Sequence, residues 1–143
     1  MTPTVDFYFD VGSPAAYLAY TQLPAMCAKV GATLNCCPML LGGVFQATGN
    51  HSPATIPAKG IYMFNDLNRF AARYGVPFAH NPHFPINTLM LMRAITGLKM
   101  RDDPRFLAFL DAVFKAVWVD QKNMNDLAVV GRSEERRVGK ECA

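Results

Sequence analysis

The stretch from Phe7 to Ala19 constrains the fold more than any other part of the sequence. It reads Phe-Tyr-Phe-Asp-Val-Gly-Ser-Pro-Ala-Ala-Tyr-Leu-Ala. The aromatic start is typical of a strand that is covered on at least one face, and Gly12 permits a tight backbone at the end of that strand. Ser13 is a preferred N-cap residue, and Pro14 has the fixed φ of a first helical turn. The pattern therefore predicts a strand, a turn and a helix, with the Ser13 hydroxyl at the positive end of the helix, where an anion is stabilised.

The segment from Asp10 to Ala19 resembles the N-terminal signature of the 2-hydroxychromene-2-carboxylate isomerases. These enzymes and the kappa-class glutathione transferases belong to the DsbA-like branch of the thioredoxin superfamily. Members of this branch carry Ser-Pro where redox relatives carry the first cysteine of Cys-x-x-Cys. Here Ser13 stands at the first cysteine position and Ala16 at the second. Disulfide exchange at this site is excluded because neither side chain is a thiol. The resemblance implies that the helix N-terminus binds the thiolate of glutathione instead.

The rest of the chain is predicted to form two regions and a tail. A helix to about residue 30 and a second strand over 32–39 complete a βαβ unit in residues 1–41. Residues 42–131 show helical periods and turns without a strand pattern, which predicts an all-helical insertion. This is the layout that the resemblance implies: an α/β, thioredoxin-like (DsbA-type) βαβ core with a helical insertion.

Individual boundaries follow from proline, glycine and capping residues. Pro24 is predicted to end or kink the first helix near Leu23, and Gly31 to close it. No clear period is visible from residue 40 to 60, where turn chemistry prevails. Three later helices are predicted over about 61–74, 88–96 and 104–118, the last of them starting at an Asp103 cap. Gly75 and Gly97 are predicted to end the first two of these.

Residues 132–143 switch abruptly to a charge-rich composition. We interpret them as a non-native tail, resembling an adaptor-like run at the end of a badly assembled coding sequence. The resemblance then covers roughly residues 4 to 131. It implies that the C-terminal part of the thioredoxin fold is missing: a β-hairpin, a final helix, the cis-proline loop and acidic contacts to the glutathione amine.

Composition narrows the class of protein. The chain has 143 residues, of which 51% are hydrophobic, enough for one domain with a core. The net charge of +3 is small and scattered, so no nucleic-acid partner is expected. No apolar run has the length of a membrane span, and no secretory signal is visible. The four cysteines lack framework spacing, which indicates reduced thiols in a cytoplasmic protein. His80 and His83 have no third ligand nearby, so no metal is expected.

Ser13 can supply what a bound thiolate needs. Lowering a thiol pKa from about 8.5 by two units requires ~2.7 kcal/mol of preference for the charged form. A helix N-terminus supplies at most about 2 kcal/mol, and one hydrogen bond to a charged acceptor about 1.5–3 kcal/mol. Ser13 therefore acts as donor and is not itself the nucleophile, since its surroundings are not Gly-x-Ser-x-Gly. On local pattern alone, a simple N-cap role is the alternative.

Two further residues align with glutathione-binding positions of the family. The resemblance implies that Asn50 meets the tripeptide's amides and that Lys59 pairs with a carboxylate. Without the resemblance, a turn asparagine and a solvated lysine are the simpler interpretations. Phe84-Pro85-x-x-Thr88 also matches the family pattern and is interpreted as a helix entry beside the pocket.

The resemblance implies a cytoplasmic, homodimeric, glutathione-dependent isomerase of aromatic catabolism. It would convert the small-molecule aromatic substrate 2-hydroxychromene-2-carboxylate to trans-o-hydroxybenzylidenepyruvate in naphthalene-type degradation, with Ser13 as the catalytic residue. Two alternatives stay open. One is a kappa-like transferase that conjugates glutathione to electrophiles, and the other is an inactive, truncated fragment with an unpaired sheet edge.

Overall fold

The fold consists of a small parallel sheet and a larger helical region that packs against it. A computed structural model describes residues 1–126, 128–129 and 131. Its elements, in chain order, are β1 (Thr4–Phe9), α1 (Pro14–Val30), β2 (Thr33–Pro38), α2 (Leu41–Thr48), a short 3₁₀ turn (Pro53–Thr55), α3 (Pro57–Tyr74), α4 (Leu89–Met100) and α5 (Phe106–Trp118). This order confirms the predicted βαβ core and helical insertion. The predicted tail, 132–143, lies outside the described residues.

The βαβ unit forms as predicted from the first forty residues. β1 and β2 are parallel, with Phe7 opposite Cys36, and they are the only strands in the described part. Ser13 has extended backbone (φ −92°, ψ 116°) and caps α1, with proline in the first turn. Gly31 closes α1 in the left-handed region at φ 68°, a conformation that costs glycine little.

The core lies between the sheet and helices α1, α4 and α5. Phe9 at the end of β1 and Phe114 of α5 are almost fully buried, and their ring centroids are 5.9 Å apart. The indole Nε1–H of buried Trp118 donates to the backbone oxygen of Val11 at 2.8 Å. Contacts with α5 therefore fix the end of β1, where the signature begins. The largest fully buried side chains are Trp118, Phe9, Phe114, Leu91, Ile95, Leu110, Val11, Val117 and Asn81.

The predicted end of α4 at Gly97 is wrong, because α4 continues to Met100. α1 runs to Val30 and is closed by Gly31 as predicted, and it does not end at Pro24. Pro24 removes one N–H from α1, but buried residues on both sides of it, Leu18 and Cys27, hold the helix against the core. Gly97 does not have the positive φ that ends a helix, unlike Gly31 and Gly75.

The observed starts of α2, α3 and α5 also differ from the predicted ones. α2 was not predicted at all, since two of its first three residues are glycines and Leu40 offers no side-chain cap. α3 begins at Pro57, four residues before the apolar period. α5 begins at Phe106 rather than Pro104, although the Asp103 carboxylate accepts the Arg105 N–H at 2.9 Å. The loop before α4 contains a cis peptide bond between Phe84 and Pro85. The expectation that a cis-proline loop is missing from the chain is therefore wrong.

Within the described residues, no helix is both long and apolar enough to cross a membrane. The same residues hold no cluster of three or more histidine, cysteine or acidic side chains that could bind a metal ion. Cys27, Cys36 and Cys37 are free thiols, the first two buried. Cys142 lies outside the described part.

Candidate functional site

A cleft of about 610 Å³ opens at the carboxyl end of β1. Its walls are the starts of α1, α2 and α4, the 3₁₀ turn and the loop through Pro85. Ligands in open α/β folds bind beyond the carboxyl ends of the strands, so this is the expected position for a site. The lining includes Ser13, Phe45, Ser52, Phe84 and Thr88. As the sequence predicted, the segment from Phe84 to Thr88 enters a helix beside a pocket.

Ser13 is half-buried at the point where the cleft meets α1. Its Oγ accepts the Ala16 N–H at 3.2 Å, and its own N–H donates to the Asp10 backbone oxygen at 3.0 Å. The hydroxyl has no acceptor for its proton among the described residues. It can therefore cap α1 and still donate a hydrogen bond to an anion in the cleft, at the positive end of a 17-residue helix.

Asp10 is a lining residue whose role was not predicted. Its side chain is buried, with 3% exposure, and it bonds to three separate segments. Oδ1 accepts the Gly12 N–H at 2.9 Å. Oδ2 accepts the Leu41 N–H at 2.9 Å and the Thr88 hydroxyl at 3.0 Å. The available signal was an acidic residue at the end of an apolar strand, directly before the glycine turn.

Lys59 and Ser13 are brought to neighbouring depressions rather than to one pocket. Lys59 is exposed on the first turn of α3 and lines a groove of about 560 Å³. The groove and the cleft share Ala15, Pro53 and Met63 as lining residues. The cleft and the groove therefore adjoin each other. Among the described residues, Lys59 is the one cation that lines either depression.

Asn50 is not brought into the lining of either depression. It is exposed just after α2, and its Oδ1 accepts the His51 N–H at 2.9 Å. Its neighbour Ser52, by contrast, lines the cleft and caps the 3₁₀ turn by accepting the Ala54 N–H at 3.2 Å. Neither N–H of the Asn50 side-chain amide has an acceptor among the residues that the structure describes.

The chain is similar to proteins of known families. Residues 4–135 match the family described as DSBA-like thioredoxin domain. The chain is 32% identical over 132 residues to 2-hydroxychromene-2-carboxylate isomerase of Sphingobium xenophagum, an alignment that covers 89% of this chain and 66% of that protein. It is 31% identical over 122 residues to glutathione S-transferase kappa 1 of Caenorhabditis elegans, an alignment that covers 81% of this chain and 54% of that protein.

A solved structure of 2-hydroxychromene-2-carboxylate isomerase has a TM-score of 0.70 and 28% sequence identity to this chain. The match covers 93% of this chain and 64% of that one. The chain therefore spans between about half and two thirds of the length of the relatives it matches.

Proposed function

Because the chain belongs to the DSBA-like thioredoxin domain family, we propose that it carries the thiolate-binding site of a glutathione-dependent isomerase. The proposed substrate is 2-hydroxychromene-2-carboxylate, and the product is trans-o-hydroxybenzylidenepyruvate. The setting would be the degradation of naphthalene-type aromatic compounds, in a cytoplasmic homodimer. The thiolate adds to a conjugated substrate carbon, the ring opens, a bond rotates, and elimination returns glutathione.

The observation that carries this proposal is the position of Ser13. Its Oγ accepts the Ala16 N–H at the start of α1 while the residue lines the cleft. The hydroxyl proton and the positive end of α1 are thus available to the same anion. Their combined contribution, at most about 2 kcal/mol from the helix and about 1.5–3 kcal/mol from the hydrogen bond, is of the size of the ~2.7 kcal/mol that a two-unit fall in thiol pKa requires.

Lys59 and Asn50 complete the proposed glutathione site. Lys59 pairs with a carboxylate of the tripeptide in the adjoining groove. Asn50 reaches the ligand's amides with its side-chain N–H groups, from the rim beyond α2. The dependence of binding on these two residues is a prediction of the proposal.

A kappa-like transferase is the second candidate. It is favoured by the 31% identity to glutathione S-transferase kappa 1 of Caenorhabditis elegans. Both reactions begin with the same glutathione thiolate, so Ser13 serves either. Measuring isomerisation of the chromene beside conjugation of a generic electrophile separates the two, since only one rate should be substantial.

The decisive test compares alanine variants of two serines that cap helical segments of different length. Ser13 and Ser52 both precede a proline, cap a helical turn and line the cleft, but Ser52 starts only a three-residue 3₁₀ turn. In an intact parent protein, we expect Ser13→Ala to lower turnover by more than about tenfold and to reduce the thiolate absorbance of bound glutathione. Ser52→Ala should change both by less than about threefold. Equal effects of the two variants would refute the assignment of Ser13.

The fragment alternative is tested in the same assay. The reaction is measured for the 143-residue chain and for a chimera that continues after Gly131 with the remaining segment of the Sphingobium xenophagum isomerase. If only the chimera isomerises the chromene, the chain supplies the thiolate site and is inactive alone. If neither protein binds glutathione, the proposed function is wrong.

A further inference from the structure

One wall of the cleft has little holding it in place. α2 contributes Leu41, Gly43, Phe45 and other residues to the lining. Yet none of its eight residues, all of which the structure describes, is buried. A helix with no buried face gains little from apolar packing, and two glycines in its first turn weaken it further. Something other than a core face must hold this wall.

The Asp10 carboxylate is the side chain that anchors α2, beside a backbone bond from the Met39 N–H to the Phe9 oxygen at 2.9 Å just before the helix. The N–H of Leu41, the first residue of the helix, donates to Asp10 Oδ2 at 2.9 Å. The same oxygen accepts the hydroxyl of Thr88, directly before α4, at 3.0 Å. The other oxygen accepts the Gly12 N–H, next to Ser13, at 2.9 Å. One buried side chain thus joins the starts of three helices that line the cleft.

We propose that Asp10 is the positioning residue of the cleft. Its carboxylate holds the start of α2 at a fixed distance from the starts of α1 and α4, and so sets the width of the site in which glutathione is proposed to bind. The expected effect of Asp10 on glutathione binding rests on the proposed function. Its effect on the position of α2 does not.

Asp10→Asn is the first test, because asparagine keeps the volume and removes one acceptor. Three donors converge on two oxygens, and an amide can accept on only one side. At least one donor is then left unpaired or faces an N–H. In the 143-residue chain, we expect hydrogen exchange to accelerate by more than about tenfold at the Leu41 or the Gly12 amide, whichever faces the new side-chain NH₂ group. The Kd for glutathione should rise by at least about fivefold, while the thiolate absorbance per bound glutathione stays that of the parent.

Asn81→Asp is the matched control for general loss of stability. Asn81 is fully buried away from the cleft lining and also joins separate segments. Its Nδ2 donates to the backbone oxygens of Val117 at 2.9 Å and Lys122 at 3.0 Å, and its Oδ1 accepts the His83 N–H at 2.9 Å. The control should lower the urea midpoint and leave the Leu41 exchange rate, corrected for global unfolding, unchanged.

Thr88→Val keeps the test decisive if Asp10→Asn does not fold. It retains the bulk of the side chain but removes the hydroxyl donor to Asp10. We expect a smaller acceleration at Leu41. Where all variants fold, the effects of Thr88→Val and Asp10→Asn should also be less than additive, since they act on one hydrogen-bond network.

The outcomes separate this proposal from the proposed function. Faster exchange at Leu41 in a chain that binds no glutathione supports the positioning role and refutes the glutathione site. Exchange that is unchanged at both Leu41 and Gly12 in Asp10→Asn, or accelerated equally in Asn81→Asp, overturns the positioning role, whatever glutathione does. A loss of bound thiolate absorbance with unchanged Kd in Asp10→Asn also overturns it, because the effect would then lie on the sulfur rather than on the width of the site.

Discussion

Gly12 occupies a confined space between the end of β1 and the start of α4. A Cβ added there would lie 2.8 Å from Cγ2 of Thr88 and 3.4 Å from Oδ1 of Asp10. Thr88 is 6% exposed, so its methyl group has little room to move away. The absence of a side chain at Gly12 therefore allows the hydrogen bond between Thr88 and Asp10 to form.

Gly12→Ala is expected to lower the free energy of unfolding by about 1–3 kcal/mol, since an added methyl group overpacks this space. Adding Thr88→Ser should restore most of the loss, because serine lacks Cγ2 and keeps the hydroxyl. Gly42→Ala is the control, since a Cβ there meets nothing within 4 Å. Urea midpoints measure all three variants. A double variant no more stable than Gly12→Ala would show that the clash with Thr88 is not the cause.

Residue by residue, the sequence predicts what depends on neighbours along the chain. Ser13 was identified as the cap because its acceptor role involves Ala16, three residues away. Asp10 was not, because two of its partners lie 31 and 78 residues along the chain. No local pattern encodes that convergence. Asn50 aligned with a binding position of the family, but no local pattern shows that it lies outside the cleft lining.

Between elements, the contact of α1 with α5 is built on Tyr20. Its hydroxyl donates to Oδ1 of Asp111 at 2.5 Å, and its ring stacks on Phe114 with centroids 5.0 Å apart. Burial, reinforced by the hydrogen bond and the charge of Asp111, raises the pKa of Tyr20. The folded state therefore favours the protonated phenol more than the unfolded state does.

This shift predicts a loss of stability at high pH. A raised pKa contributes stability that is fully present below the unfolded value, about 10, and that is lost as pH rises beyond it. Burial also raises the pKa of Tyr17 and of Cys36, so part of the dependence belongs to them. Between about pH 8 and about pH 11, Tyr20→Phe should lose less stability than the parent. Tyr8→Phe, at an exposed tyrosine, is the control. An alkaline dependence that is identical in Tyr20→Phe would contradict this cause.

At the scale of elements, glycine and proline predicted helix ends only where backbone geometry agreed. Gly31 and Gly75 adopt positive φ and close α1 and α3. Pro24 lies inside α1, where buried Cys27 follows it, and Gly97 lies inside α4, where it lacks the positive φ of a helix end. α2 was missed for the opposite reason, because its first turn is weak locally and is held by Asp10. Contacts distant in sequence therefore decided the cases of α1 and α2, and backbone geometry decided that of α4.

For the whole molecule, the fold class could be predicted because one short segment specifies strand, turn and helix together. What the segment cannot specify is the covering of the sheet. β1 pairs with β2 on one edge, and the described residues provide no strand for its other edge. Val5 and Tyr8 on this strand are 38% and 65% exposed. Strands of parallel sheets are normally buried on both faces.

A strand with one unpaired edge and exposed apolar side chains is expected to associate with another copy. We predict that the 143-residue chain self-associates with rising concentration in sedimentation velocity. Tyr8→Lys should reduce this association, because a charge on an edge strand opposes pairing between copies. Tyr62→Lys is the matched control, since Tyr62 is also 65% exposed but lies on α3. If both variants reduce association equally, the contact is not made by β1. A monomer at every concentration with a sharp cooperative melt would mean that the open edge of β1 is tolerated in solution.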